Sequence, residues 1–162
     1  MEIRPERAGD AAAIRDLTTQ AFAGAPHSAG TESDIIDRLR ADDALTVSLV
    51  ADDAGGIVGH AAFSPVSIGA ADGWFGLGPV SVAPGRQRRG IGAALIDAGL
   101  AQLRARGAKG CVVLGDPAYY ARFGFAHDPA TTYPGPPPEY FQVLAFDGQP
   151  LAGVVAYHPA FG

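Results

Sequence analysis

The sequence predicts a mixed α/β fold in which a mostly antiparallel sheet is flanked by helices. Segments rich in β-branched and aromatic residues at 45–51, 57–63 and 74–82 are separated by turns rich in glycine and aspartate. Before and after them, apolar residues recur at helical spacing. Hydrophobic residues make up 48% of the 162 residues and charged residues 18%, which is enough apolar material for one packed core. We therefore expect a single domain over residues 1–162.

The N-terminal part of the chain predicts a short strand at residues 3–5 and then two helices. The first helix is expected to follow Asp10, because Ile14 and Leu17 come after it at helical spacing. Thr31 is expected to cap the second helix, since a threonine hydroxyl can accept a hydrogen bond from a free N–H of the first turn.

The pair Gly78-Pro79 interrupts the third β-rich segment. Proline has no N–H to donate to a strand ladder and is therefore rare inside a central strand. The pair predicts a β-bulge, at which the sheet splays open.

The second half of the chain predicts a long helix, a parallel central strand, a short helix, a strand and a terminal hairpin. Gly107 is expected to end the long helix, whose last turn is basic. The hairpin is expected to turn at Asp147-Gly148. The predicted elements cover residues 92–106, 111–114, 117–122 and 123–125, with hairpin strands at 140–146 and 151–157.

Charge is unevenly distributed along the chain. Residues 86–109 contain six of the twelve basic residues and one of the seventeen acidic residues, so this segment carries +5 within a chain of net charge -5. A short basic segment in an acidic chain favours a compact anion as ligand, whereas nucleic acid requires an extended basic surface. We therefore expect a phosphate-bearing small molecule and no nucleic-acid partner.

The segment 80–92 consists of a strand, a glycine-rich loop and the start of a helix. Such a junction points free backbone N–H groups and the positive end of the helix dipole at one place, where phosphate oxygens bind well. It is not an ATP-binding P-loop, because Ile91-Gly92 stands where Lys-Ser/Thr is required. A dinucleotide fingerprint is disfavoured because Leu95 replaces its third glycine.

The sequence contains no signal that sends the chain to a membrane or out of the cell. Its apolar runs are shorter than the ~20 residues of a membrane span, and its N-terminus lacks a secretion signal, so we expect a cytoplasmic protein without a membrane partner. Its histidines lack metal-ligand spacing, and we expect no metal site. They are His27, His60, His127 and His158.

Two motifs give the chain a family resemblance. Residues 87–92, Gln-Arg-Arg-Gly-Ile-Gly, resemble the acetyl-CoA signature of the GNAT superfamily of N-acetyltransferases. Residues 120–125, Tyr-Ala-Arg-Phe-Gly-Phe, are similar to a second block of that superfamily, at the expected distance. The amino-acid sequences of three further segments resemble the YhbS-like subgroup of that superfamily: residues 114–120, 59–60 and 157–161.

The resemblance implies a GNAT-like sheet, with acetyl-CoA as cosubstrate, and a role for specific residues. The amide of Val82 would face the thioester oxygen, and Tyr120 would donate a proton or a hydrogen bond to the departing sulfur. These two are the implied catalytic groups. The implied cofactor-binding residues are Val80, Ser81, Val82, Gln87, Arg88, Arg89, Gly90, Ile91, Gly92 and Ala93.

The function implied is transfer of an acyl group, expected to be acetyl, to a primary amine of a small molecule or peptide by direct attack. The alternative is a non-catalytic module that binds acyl-CoA to regulate another protein. A homodimer is also compatible with the sequence. No acidic residue lies at positions 73–82, where many relatives place the general base. Water relayed to a backbone carbonyl and four side chains remain candidates for the base: Glu32, His60, Asp116 and His127.

Overall fold

The fold is built around an eight-stranded sheet. The structure is a computed structural model, and it describes residues 1–26 and 28–162. His27, one of the histidines considered above, lies outside the described residues. The strands are β1 (Glu2–Pro5), β2 (Val47–Asp53), β3 (Gly56–Ile68), β4 (Ala71–Val82), β5 (Gly110–Leu114), β6 (Thr131–Thr132), β7 (Phe141–Ala145) and β8 (Gly153–Tyr157). The helices are α1 (Ala11–Phe22), α2 (Glu32–Ala41), α3 (Ile91–Ala105) and the single turn α4 (Pro117–Tyr120).

The main run of the sheet has the order β1-β2-β3-β4-β5-β7. Neighbours in this run are antiparallel except β4 and β5, which are parallel because α3 connects them as a crossover. Strand β8 continues along the edge of β3 beyond the end of β2, and it also pairs with β6. The predicted mixed, mostly antiparallel sheet and its parallel strand at 111–114 are confirmed.

The two faces of the sheet are covered by different helices. On the face that we call the α3 face, Leu95, Ile96 and Leu103 of α3 pack on Phe63 and Val113 in the largest apolar cluster. On the opposite face, which we call the α1 face, helices α1 and α2 pack over β2, β3 and the end of β4. A second apolar cluster on this face includes Val66, Trp74 and Val155. Since side chains alternate along a strand, neighbouring residues of β3 and β4 face different partners.

The sheet opens after Leu77. Strand β4 pairs with β5 only from Trp74 to Leu77, and the β3–β4 register shifts between Phe63↔Leu77 and Ala61↔Val80. Gly78 and Pro79 of β4 thus lie opposite the single residue Ala62 of β3, so the predicted bulge and splay are confirmed. Residues 80–82 stay with β3 while β5 ends at Leu114, and we call the resulting gap the β4–β5 opening.

The predicted terminal hairpin is wrong. A turn does form at Asp147-Gly148, where the Gly148 N–H donates to Ala145 O at 3.0 Å. The strands on either side diverge, however, because β7 pairs with β5 and β8 pairs with β3 and β6. The turn residues determine a local reversal of the chain, whereas distant sheet edges determine the strand partners.

The predicted strand at 123–125 is also wrong. Residues Ala121–Phe123 form a single 3₁₀ turn that ends at Gly124, whose φ is 96°. Only Ala126 makes a β-bridge there, to Val143. The left-handed glycine ends the helical turn and directs Phe125 into the α3-face cluster instead of into the sheet.

Gly99 makes the close packing of α3 on the sheet possible. A Cβ placed there would lie 2.1 Å from Phe63 Cε1 and 2.4 Å from its Cζ. We expect Gly99→Ala to lower the free energy of unfolding, because overpacking costs about 1–3 kcal/mol and outweighs the ~1 kcal/mol gain in helix propensity. Urea unfolding monitored by circular dichroism measures the difference.

Gly92→Ala is the matched control, since a Cβ in this first turn of α3 would meet its nearest atoms at 3.5 and 3.6 Å. It should be at least as stable as the wild type, because it gains helix propensity without a steric clash. A Gly99→Ala variant of wild-type stability would contradict the packing argument.

Candidate functional site

A groove of about 530 Å³ lies where the end of β4, the loop after it and the start of α3 meet the α4 segment. We call it the β4–α3 groove. Of the ten predicted cofactor-binding residues, only Ser81 and Arg89 do not line it. The lining residues are Val80, Val82, Arg86, Gln87, Arg88, Gly90, Ile91, Gly92, Ala93, Tyr119 and Arg122.

The main chain of Val82 points into the β4–β5 opening. Ala83 N–H donates to Val58 O at 2.9 Å, so the preceding pair, Val82↔Gly59, is a non-hydrogen-bonded pair of the antiparallel ladder. The N–H and C=O of Val82 are therefore directed away from β3, toward the side that β5 has left. Gln87 Nε2 donates to Val82 O at 3.3 Å, which agrees with this direction. Val80 has the same orientation because it is two residues away.

Ser81 faces the other way. Its side chain is buried on the α1 face, where its hydroxyl donates to Thr18 Oγ1 at 3.2 Å. Its main-chain groups fall on the hydrogen-bonded pair with His60, by the same alternation. Ser81, although predicted to bind the cofactor, is therefore turned away from the groove. Side chains alternate between the two faces of a strand, and main-chain N–H and C=O groups alternate between its two edges, so Ser81 is oriented opposite to Val80 and Val82.

The loop before α3 presents N–H groups at the groove. Gly90 has a φ of 82° and precedes the helix, and Arg88 has a φ of 63°. The first helical hydrogen bond runs from Ala94 N–H to Gly90 O at 3.0 Å, so the N–H groups of residues 91–93 have no partner within the helix. Together with the helix dipole, they form a site for an anion.

Arginines from two segments add positive charge to the groove. Arg86 is ion-paired with Asp53, which lowers the pKa of that carboxyl group. Arg88 and Arg89 form no ion pair with any described residue. Arg122, which the sequence analysis did not assign, lines the groove with its guanidinium 4.3 Å from the centre of the Tyr119 ring. Its Nε also donates to Tyr119 O at 3.0 Å.

Two adjacent tyrosines occupy different positions at the site. Tyr119 lines the groove, and its hydroxyl lies 3.5 Å from the point where a Cβ of Gly92 would be. Tyr120 packs beside it, with its ring centre 5.0 Å from that of Tyr119 and 6.0 Å from that of Phe125. Its ring also covers Gly115, where a Cβ would lie 2.5 Å from Tyr120 Cε2. Burial raises the pKa of Tyr120 to about 12.

Three of the four candidate bases make local structural contacts. Glu32 accepts a hydrogen bond from Ser28 Oγ at 2.7 Å. Asp116 caps α4 by accepting from Ala118 N–H at 2.9 Å. His127 lines a separate cavity of about 330 Å³. None of the three lines the β4–α3 groove.

His60, the fourth candidate, is fully buried on the α1 face. Ser48 Oγ donates to Glu6 Oε1 at 2.6 Å and lies 2.8 Å from His60 Nε2. Because the single hydroxyl proton of Ser48 goes to the carboxylate, Ser48 accepts from His60 Nε2–H, and Nδ1 carries the lone pair. Burial lowers the pKa of His60 to about 4, so the ring is neutral.

No group of three or more His, Cys, Asp or Glu side chains in residues 1–26 and 28–162 is arranged to hold a metal ion. None of the helices found in these residues is both long and apolar enough to cross a bilayer.

The chain is similar in sequence to known proteins. Residues 45–127 match the family model described as an acetyltransferase (GNAT) domain. The chain is 38% identical to the uncharacterised N-acetyltransferase YhbS of Escherichia coli (strain K12), over 99% of this chain and 98% of that protein.

Solved structures agree with the sequence comparison. A crystal structure of a GNAT family acetyltransferase from Brucella melitensis in complex with acetyl-CoA is 54% identical, with a TM-score of 0.90 over 99% of this chain and 97% of that one. The structure of Escherichia coli YhbS in complex with CoA is 34% identical, with a TM-score of 0.89 over 99% of this chain and 91% of that one.

Proposed function

Because the chain belongs to the GNAT family of acetyltransferases, we propose that it moves the acetyl group of acetyl-CoA onto a primary amine at the β4–β5 opening. The observation that carries this proposal is the main-chain N–H of Val82, which points into the opening at one end of a groove whose other end is the start of α3. Family membership makes the chain an acyl-CoA-dependent acyltransferase, and the alternative of a non-catalytic binding module is not retained.

The start of α3 fits the pyrophosphate of acetyl-CoA. The free N–H groups of residues 91–93, the helix dipole and the unpaired Arg88 all favour a compact anion there. Arg122 adds a second cation from another segment, oriented by its stacking on Tyr119. The pantetheine arm, which carries amide groups, is then directed along Val80 and Val82 toward the opening.

The N–H of Val82 is suited to stabilise the reaction. Attack of a neutral amine nitrogen on the thioester carbon forms a C–N bond, breaks the C–S bond and places negative charge first on the carbonyl oxygen and then on sulfur. The nitrogen gives up one proton to water, so the products are the amide and the CoA thiolate. A fixed N–H directed at that oxygen stabilises the charge without reorganising, and it acts more strongly away from bulk water. The splay of the sheet leaves this N–H without a strand partner.

Tyr120 is proposed to stabilise the departing sulfur by donating a hydrogen bond. Burial makes both a tyrosinate and a thiolate more basic, so their ordinary pKa values of about 10 and about 8.5 are the ones to compare, and they make full proton transfer uphill by roughly 2 kcal/mol. Donation of a hydrogen bond does not carry that penalty. The raised pKa also keeps Tyr120 protonated throughout the usual assay range.

A panel of primary amines tests the proposed activity. The protein is incubated with acetyl-CoA and each amine, and release of free thiol is followed together with mass spectrometry of the amine product. Acetylation of at least one amine is expected. Tight binding of acetyl-CoA without thiol release across small-molecule and peptide amines would overturn the proposal.

The arginines of the groove should contribute to acetyl-CoA affinity. We expect Arg88→Ala and Arg122→Ala each to weaken binding about tenfold, because a hydrogen bond to a charged group contributes about 1.5–3 kcal/mol. Isothermal titration calorimetry at two salt concentrations measures the affinity, and the loss should be larger at low salt.

Arg106→Ala is the matched control for these variants. It removes the same charge from the far end of α3, a helix of 15 residues and therefore about 20 Å long. Its affinity for acetyl-CoA should equal that of the wild type. Equal affinities in all three variants would mean that net charge, and not the groove, attracts the ligand.

Tyr120→Phe should lower turnover while acetyl-CoA affinity stays unchanged. The hydroxyl acts mainly on the transition state, so we expect kcat to fall by about 10- to 1,000-fold. Steady-state kinetics with an amine from the panel and calorimetry with acetyl-CoA separate the two quantities.

Tyr119→Phe and Tyr120→Ala serve as comparisons. Tyr119→Phe removes the neighbouring hydroxyl, which lies at the start of α3, and should affect acetyl-CoA affinity more than turnover. Tyr120→Ala leaves a cavity and should destabilise the fold by about 3–5 kcal/mol. Full activity of Tyr120→Phe would show that the ring only packs.

A further inference from the structure

A side-chain ion pair connects the loop that precedes α3 to a distant part of the chain. Residues 87–90 of this loop are exposed, whereas Arg86 is half-buried and its Nη1 donates to Asp53 Oδ2, 33 positions earlier. Within residues 1–26 and 28–162, no other side-chain hydrogen bond joins residues 84–90 to an element other than β4. The position of an otherwise exposed loop therefore depends on the Asp53–Arg86 pair.

Asp53 is presented from a tight hairpin. It is the strand partner of Gly56, and the two residues between them, Ala54 and Gly55, have φ values of 52° and 86°. Positive φ at both central residues is the geometry of the two-residue turns whose twist matches that of the flanking strands. The β2–β3 hairpin thus fixes the backbone from which the Asp53 carboxylate reaches the loop.

Strand β3 of the same hairpin contacts the chain on both sides of the loop. Before the loop, Ala83 N–H donates to Val58 O at 2.9 Å. After the loop, α3 begins against β3, because a Cβ placed at Gly59 would lie 2.8 Å from Ile91 Cγ2. The ion pair lies between these two contacts in the chain, so the hairpin supports the loop at its start, along its length and at its end.

Arg86 keeps most of its hydrogen-bond donors available. A guanidinium has five N–H groups, and the bond to Asp53 uses one of them. Its Nε and Nη2 donate to no described residue, and Arg86 lines the β4–α3 groove. An arginine held on one side by a carboxylate can present its remaining donors to a phosphate group.

The charge of Asp53 makes its role measurable. A carboxylate bound to a groove-lining arginine is close to any phosphate that the arginine binds, and like charges repel. If Asp53 only neutralised Arg86, its removal would tighten anion binding, whereas if it positions Arg86, its removal weakens binding. The contacts favour positioning, because the hairpin supports the loop while the remaining donors of Arg86 stay free.

We propose that Asp53 is a positioning residue for acetyl-CoA, which holds Arg86 and the exposed loop in the arrangement that binds the pyrophosphate. This role rests on the proposed function, in which acetyl-CoA occupies the β4–α3 groove. The pair orders a long side chain before the ligand arrives and so removes part of the entropy cost of binding. The contribution of this order exceeds the repulsion between the carboxylate and the phosphates.

Asp53→Ala should weaken acetyl-CoA binding by about fivefold, although it removes a negative charge, because Arg86 must then be ordered by the ligand. Isothermal titration calorimetry measures the affinity. Steady-state kinetics with an amine from the panel should show a raised KM for acetyl-CoA and an unchanged kcat. The Tm should stay close to that of the wild type, since partly exposed ion pairs contribute little to stability.

A double-mutant cycle with Arg86→Ala separates positioning from a general effect on the hairpin. In the Arg86→Ala background, Asp53 has no arginine to hold and only repels phosphate, so adding Asp53→Ala should leave the affinity unchanged or increase it. Equal weakening by Asp53→Ala in both backgrounds would show that the carboxylate acts on the hairpin alone. Tighter binding by Asp53→Ala in the wild-type background would show that it competes with the ligand. Either result overturns the inference.

Asp72→Ala is the matched control. It removes the same charge from an exposed ion pair, in which Asp72 Oδ1 lies 3.9 Å from Lys109 Nζ. This pair lies at the opposite end of β4, a strand of 12 residues and therefore about 35 Å long. Its acetyl-CoA affinity should equal that of the wild type. An equal loss of affinity in Asp72→Ala and Asp53→Ala would overturn the inference, because the effect would not depend on the loop.

Failure of this inference and failure of the proposed function give different results, because the binding cycle requires no amine. If the cycle shows the expected coupling but no amine in the panel is acetylated, Asp53 positions the loop and the proposed reaction fails. If an amine is acetylated but Asp53→Ala binds acetyl-CoA as tightly as the wild type, only the inference fails. Absence of acetyl-CoA binding to the wild-type protein overturns both.

Discussion

The interruption of hydrogen bonding between β4 and β5 is the constraint on which the site depends. Up to Leu77 the two strands are paired, and after Gly78-Pro79 they are not. A paired β5 would occupy the N–H of Val82 and close the passage between the two faces of the sheet. Because proline cannot donate to a ladder and glycine adopts a φ of 139° here, the bulge is encoded by two adjacent residues. The fold thereby exposes a main-chain donor inside an otherwise packed sheet.

Helix α3 links this opening to the anion site. Its first turn supplies free N–H groups, and its buried side holds the helix against β3 through Leu95, Leu103 and the close contact of Gly99 with Phe63. Rigid packing of the helix body determines where the helix start lies relative to Val82. The packing of α3 in the core therefore positions the anion-binding end of the groove, and a shift of the helix would move that end relative to Val82.

Local sequence patterns were sufficient to predict much of the fold around the site. The Gly78-Pro79 break, the basic glycine-rich loop and the parallel strand at 111–114 follow from rules that act within a few residues, and the structure contains all three. The partners of the last two strands, β7 and β8, could not be predicted from these local rules. The turn at Asp147-Gly148 favours a hairpin, yet β8 pairs with β3 and β6, because the choice of a strand's partner is a competition among edges that are far apart in sequence.

The sequence by itself determined that a strand, a basic glycine-rich loop and a helix follow one another, and the resemblance of residues 87–92 and 120–125 pointed to the acetyltransferase family. Only the tertiary structure decided which side chains meet there. It brought Arg122 and Tyr119 to the groove, turned Ser81 away, and laid the ring of Tyr157 over Gly76, 81 positions earlier in the chain. The physical reason is that backbone propensities and turn residues act locally, whereas a binding site is made by contacts between elements whose separation in sequence carries no signal of their proximity.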